Sequence, residues 1–164
     1  MSAVPDHPMV FTLNDQLVKV AGPVLDLWTE HRQSRSSDKE QFGVVIGTEE
    51  KTDCVYLIEE ITLPCQSDSA TRFSFSMVDP EHQVVVDRLF VQSGNRLGYL
   101  GTWHTHPESD PTPSAIDLKD WKLCMQRNPD RALFFFIVGT RSIAAFLGSD
   151  GCIEKMTVKS FENE

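Results

Sequence analysis

The run ALFFFIVGT at residues 132–140 leaves little freedom to the fold around it. From Ala132 to Val138 every residue is apolar, and Phe134, Phe135 and Phe136 are consecutive. The run is far short of the ~18 residues of a membrane span. It is short and rich in aromatic and β-branched residues, which fits a strand rather than a helix. With no polar position to offer water, that strand must be buried. FGVVIGTEE (42–50) and LGYLGTWHTH (97–106) have the same character. Buried strands need a covering layer, and helices are the usual one. The expected fold is therefore a strand-rich α/β domain: a central sheet with about three helices around it.

The remaining elements follow from pattern. MVFTL (9–13) predicts a short first strand, and CVYLIEEITL (54–63) pairs with 42–50 across the turn EKTD (50–53). Asn14 is placed to cap a helix to about Gln33, with Leu17, Val20, Ala21, Val24, Leu25 and Trp28 at helical spacing. Gly22-Pro23 would kink or split it. RQSRSSDK (32–39) and PCQSDSATR (64–72) read as loops, and FSFSM (73–77) as a strand. Asp79-Pro80 opens a helix to about Gln92, and Ser114 opens another to about Gln126. SIAAFLG and CIEKMTVKSF supply two last strands.

At 164 residues and 40% hydrophobic, the chain suits one domain (1–164) with a real core. A net charge of -9 without any Lys/Arg cluster argues against nucleic acid as a partner. The start, MSAVPDHPMVF, lacks the basic and apolar regions of a signal peptide. Cys54, Cys65, Cys124 and Cys152 form no CxxC pair and read as small buried hydrophobes in a reducing cytoplasm. No membrane association is expected.

The chemistry concentrates in GTWHTHPESDPTPSAID (101–117). Residues two apart in a strand point to one side. His104 and His106 can therefore reach one point in space, which suits a transition metal and zinc most readily. Trp103 points the other way, into the core. PESDPTP turns the chain back, and Ser114 then suits a helix N-cap. Asp117 stands at the N3 position of a capping-box-like S-x-x-D. Ser114 and Asp117 could do no more than cap the helix. The same helix start would also return Asp117 toward the histidines, giving two His and one carboxylate with a fourth position open, the pattern of a catalytic zinc. Glu40 sits just ahead of the central strand 42–50, where an acid could receive a proton; by composition alone it would be a solvated loop residue. Glu108 and Asp110 read as solvated or substrate-facing, and His7, His31 and His82 as surface residues. PCQS around Cys65 lacks the second Cys and the H-x-E of a zinc deaminase, since Asp68 stands in the second cysteine's place.

His104-Thr105-His106, seven residues, Ser114, two residues and Asp117 match the H-x-H-x(7)-S-x-x-D signature of the JAMM (JAB/MPN/Mov34) zinc metalloproteases. Glu40, Gly43 and Gly47 resemble that family's E-x-x-G-x-x-x-G context. RFSFSMVDPEHQ (72–83) looks most like its prokaryotic JAB branch. The similarity runs over roughly 10 to 148. It implies a single JAB/MPN domain, α/β (α+β), with a central mostly antiparallel sheet flanked by about three helices and cytidine-deaminase-like layering. It implies Zn2+ held by His104, His106 and Asp117, with Glu40 as general base and Ser114 as donor to the oxyanion. It implies hydrolysis after the C-terminal glycine of a ubiquitin-like protein, or of another protein conjugated through its C-terminus. The chain also resembles deconjugating peptidases of bacterial antiphage (CBASS-type) systems, whose partners are a ubiquitin-activating-like enzyme and its nucleotidyltransferase target. Two alternatives stay open: a non-catalytic MPN-type scaffold, and a zinc hydrolase of a small amide or peptide.

Overall fold

The structure is a computed structural model that describes residues 9–50 and 54–159. Its strands are β1 (Met9–Leu13), β2 (Gln16–Val20), β3 (Phe42–Glu50), β4 (Val55–Ile61), β5 (Ser69–Ala70), β6 (Phe75–Ser76), β7 (Gly98–Thr105), β8 (Leu133–Val138), β9 (Ile143–Ser149), β10 (Cys152–Lys155) and β11 (Thr157–Lys159). Three helices accompany them: α1 (Gly22–Glu30), α2 (Glu81–Gln92) and α3 (Ala115–Arg127). Nine strands form one sheet in the order β10-β9-β8-β7-β3-β4-β2-β1-β11. Only β2/β4 and β7/β8 run parallel. The small β5–β6 hairpin stands apart.

The apolar runs occupy the middle of this sheet, as their composition requires. Every residue from Leu133 to Val138 is buried. Phe134 and Phe136 pack with Trp28, Trp103 and Phe11 on one face, while Phe135 stacks on Trp121 of α3 on the other. Alternation along β8 thus serves two cores at once, one for each face.

Two glycines explain how β3 fits beside β4. A Cβ on Gly43 would fall 1.9 Å from the carbonyl oxygen of Thr62, and one on Gly47 would fall 1.7 Å from that of Leu57. Gly47 also borders a register shift between Ile46 and Gly47, a bulge that bends the strand. The glycine spacing after Glu40 is therefore a packing requirement of the strand that Glu40 precedes.

Two expectations change. The helix expected from Asn14 is instead a hairpin followed by a shorter helix. Asn14 has φ of 54°, the left-handed conformation that two-residue hairpin turns demand and that Asn tolerates. β2 then pairs with both β1 and β4. Pro23 does not interrupt a helix; it lies in the first turn of α1, where its missing N–H costs nothing. The second change is in CIEKMTVKSF, which divides at Met156. β10 pairs with β9 and β11 pairs with β1, at opposite edges of the sheet order. The two edges meet at Met156, which is buried and whose N–H donates to Ala145 O at 2.8 Å. The expected turn residues 51–53 and His7 lie outside the described residues. Among those described, no helix is long and apolar enough to cross a membrane.

Candidate metal centre

His104 lies near the end of β7 and His106 just beyond it, both buried. β7 is held on both sides here. His104 pairs with Phe42 of β3 and with Ile137 of β8. The His106 N–H donates to Val138 O at 3.1 Å. Thr105, between the histidines, points to the opposite side. Its Oγ1 accepts from Gln41 N–H and donates to Gln33 Oε1, both at 2.8 Å. Gln33 in turn donates to Asp38 O and Arg72 O. This buried network ties the histidine strand to the segment carrying Glu40. Gln33 and Thr105 were not singled out from sequence; a lone polar residue at the end of an apolar stretch gives no signal of its partner.

α3 brings the carboxylate. Ser114 Oγ accepts from Asp117 N–H at 3.0 Å, and Asp117 Oδ2 accepts from Ser114 N–H at 2.9 Å. That is a complete capping box. The same Oδ2 lies 3.3 Å from His104 Nε2 and 3.1 Å from His106 Nε2. Capping and convergence on the histidines are one geometry: the reciprocal bond that starts the helix aims the carboxylate. Ser114 Oγ accepts a hydrogen bond in the cap, so its O–H remains available to donate.

The two histidine Nε2 atoms are 3.0 Å apart. The three atoms therefore form a triangle with edges of 3.0–3.3 Å. A tetrahedral ion with arms of roughly 2.0–2.1 Å spaces its ligands by about 3.4 Å. The donor set, two imidazoles and a carboxylate, and its spacing both fit zinc. A second cluster, Cys65, Asp68 and His82, also collects ligand types, but its geometry differs. His82 Nε2 lies 2.6 Å from Asp68 Oδ2, too close for two ligands of one ion and right for a hydrogen bond. Thr62 Oγ1 accepts from Val44 N–H and lies 2.7 Å from His82 Nδ1. Asp68 also accepts from the N–H groups of Cys65, Val78 and Asp79. These bonds overcome the effect of burial and hold its carboxyl at about 2. This relay fastens residues 65–79 to β3 and α2. His82 is thus buried, not on the surface as expected. Cys54 and Cys152 are exposed, against expectation, and all four cysteines are free.

The fastened segment walls the site. Phe75 stacks on Phe42 at 4.6 Å and lies 5.3 Å from the His104 ring. His104 is 1% exposed. Burial pushes its basicity below the ordinary range despite Asp117 beside it. His106 is shifted the other way: burial opposes the charge, but Asp117 and Glu108 outweigh it. Asp117 is buried too, yet its bonds to both histidines hold it well below the usual carboxylate range. Glu40 is 3% exposed, with its N–H donating to Thr71 O and its Oε1 3.8 Å from His106 Nε2. Burial raises its carboxyl to about 7, with His106 opposing and Asp117 adding. A carboxyl so placed could exchange a proton with a group held at the triangle.

A groove of about 870 Å³ opens from Glu40, Ser114 and Asp117. Val44, Tyr99 and Thr102 line it, along with residues 73–79 and parts of α2 and α3. The 107–113 loop contributes nothing to its lining. That loop lies instead against the turn after β8, where the N–H groups of Thr140 and Ser142 bond Glu108 O and Ser109 O.

Residues 24–148 match the family model described as prokaryotic homologs of the JAB domain. The chain belongs to the prokaryotic JAB family. It is 30% identical over 131 residues to a CD-NTase/cGAS isopeptidase of Pseudomonas aeruginosa, covering 79% of this chain and 82% of that one. It is 33% identical to proteins of the same name from Escherichia coli and Vibrio cholerae, with coverage of 79% and 80%, and of 78% and 80%. The solution structure of protein DSY2949 from Desulfitobacterium hafniense is similar in fold, with a TM-score of 0.60 at 20% identity over 85% of this chain and 90% of that one.

Proposed function

We propose that this JAB protein is a zinc-dependent isopeptidase that releases a protein conjugated through its C-terminus, acting on a CD-NTase conjugate as the names of its relatives suggest. The observation that carries the reading is the His104–His106–Asp117 triangle with the buried Glu40 carboxyl beside it. A scaffold has no use for a buried carboxyl placed against a triangle of ligand atoms at the end of a groove. The groove, bounded by two helices and the 73–79 segment, suits an extended peptide tail better than a small amide.

His104, His106 and Asp117 would hold the zinc, which would supply Lewis-acid polarisation of the scissile carbonyl and of the attacking water. Glu40 accepts a proton from that water as its oxygen bonds to the carbonyl carbon. The Ser114 O–H donates to the carbonyl oxygen as negative charge gathers there. Glu40 then returns the proton to the departing nitrogen as the C–N bond breaks, leaving a carboxylate on the tail and a free amine on the target. Phe75, Phe42 and Trp121 keep the His104 side dry, which strengthens each of these interactions.

The test uses purified protein loaded with zinc and a CD-NTase conjugate made by a ubiquitin-activating-like enzyme. Mass spectrometry should find the intact CD-NTase C-terminus and a regenerated amine. Cleavage that survives chelation, or a product cut elsewhere in the tail, would overturn the proposal.

A further inference from the structure

His106 has two ring nitrogens, and only one faces the triangle. Nε2 lies 3.0 Å from His104 Nε2 and 3.1 Å from Asp117 Oδ2. Nδ1 lies 2.8 Å from Glu108 Oε1. A carboxylate oxygen accepts, so Glu108 favours a hydrogen on Nδ1, the tautomer that leaves the Nε2 lone pair for an ion shared with His104 and Asp117. We propose that Glu108 is a positioning residue of the metal centre, one that fixes the tautomer and the ring plane of His106 so that Nε2 is presented for coordination.

The backbone supports that role. β8 runs beside β7 in parallel, and its end holds both partners. Val138 O accepts from His106 N–H, and two residues later Thr140 N–H donates to Glu108 O at 2.7 Å. Ser142 N–H and Oγ both donate to Ser109 O, and Ser142 Oγ also lies 2.9 Å from Asp110 Oδ1. A Cβ on Gly139 would meet Glu108 O at 2.6 Å and Ser109 O at 2.9 Å, so the loop sits directly on this turn. His106 and Glu108 thus hang from one strand end, and their separation does not depend on a mobile loop. Glu108 does not line the groove. Its side chain is 49% exposed, so little of the core depends on it. A carboxylate behind a ligating histidine fixes ring orientation and raises ligand basicity, and losing it costs typically 10–100-fold in metal affinity.

The inference rests on the zinc reading, and the experiment separates the two. Zinc affinity is measured by chelator competition for wild type, Glu108→Ala, Glu108→Gln and His106→Ala. The His106 tautomer is read by nitrogen NMR on the metal-free proteins. Glu108→Ala should bind zinc about 10–100-fold more weakly, and its His106 should lose the Nδ1–H form. Glu108→Gln keeps an acceptor oxygen and should recover most of that affinity and the tautomer. The urea midpoint of the metal-free protein should not change. Tight binding by wild type with equal affinity in Glu108→Ala overturns the role of Glu108 alone. Loss of affinity with an unchanged tautomer, or with an equal fall in metal-free stability, also overturns it. Failure of wild type to bind zinc overturns the metal reading itself.

Discussion

Glu40→Gln should make the metal-free protein more stable and the loaded enzyme slower. The stability effect follows from linkage. Unfolded, the Glu40 carboxyl titrates near 4.5; folded, burial raises it to about 7. The folded state therefore holds the proton more tightly than the unfolded state between those values. A raised carboxyl loses stability as pH rises from about 4.5, and the loss is complete above about 7. Moving one group by that much corresponds to about 3 kcal/mol, at ~1.4 kcal/mol per tenfold. Glutamine keeps the shape and cannot ionise, so it avoids this penalty. The urea-unfolding free energies of wild type and mutant should be compared in chelator from pH 4.5 to 8. The two should agree at the acid end and separate to about 2–3 kcal/mol at pH 8, with the mutant the more stable. With zinc restored, single-turnover cleavage should fall at least ~100-fold, the usual worth of a positioned base, while zinc content stays unchanged. A pH-independent difference would refute the raised carboxyl. Cleavage near the wild-type rate would move the base to another residue.

Three other outcomes are expected. Ser114→Ala removes both a cap and a donor, and these have different sizes: folding should weaken by about 1 kcal/mol, whereas kcat should fall by about 10²–10³; equal small effects on both would leave Ser114 only a cap. The double variant His104→Ala, His106→Ala should carry no zinc by elemental analysis, and wild-type zinc content would refute the triangle as the site. Asp68→Asn should destabilise the protein by about 2 kcal/mol at pH 7, worked from a carboxyl lowered from 3.8 to about 2. A lowered carboxyl contributes fully above its unfolded value and is lost as pH falls through the folded one, so the Asp68→Asn difference should shrink below pH ~4, and a constant difference down to pH 2 would refute the relay.

The strands that carry the site were legible because they are extreme. A run such as 132–140 has one comfortable environment, and the H-x-H spacing works only on a strand. Ser114 and Asp117 were legible twice over, as a capping pair and through the H-x-H-x(7)-S-x-x-D spacing, and in the structure the cap is what turns Asp117 toward the histidines. Asn14 misled because a good N-cap residue is also a good left-handed turn residue, and the choice between them depends on whether β1 finds a partner. His82 and Glu108 escaped because their roles come from partners distant in space or hidden behind a ring. No local pattern announces that Asp68 will gather four donors, or that a loop glutamate half exposed to water will also meet His106 Nδ1.

The meeting of the two sheet edges at Met156 has a kinetic consequence. Val10 pairs with Lys159 and Phe11 with Val158, so the closing contacts join opposite ends of the described chain. Such contacts carry a large loop-closure entropy and form slowly. β3 and β7, which carry the site, pair at the centre of the sheet through residues far nearer in sequence. The centre can therefore assemble while the seam is still open, and in the finished protein β11 is exposed along its length, with little buried surface to hold it. When β11 leaves β1, two bare strand edges face solvent together. The weak point for unwanted association then lies at the seam, away from the residues that do the chemistry.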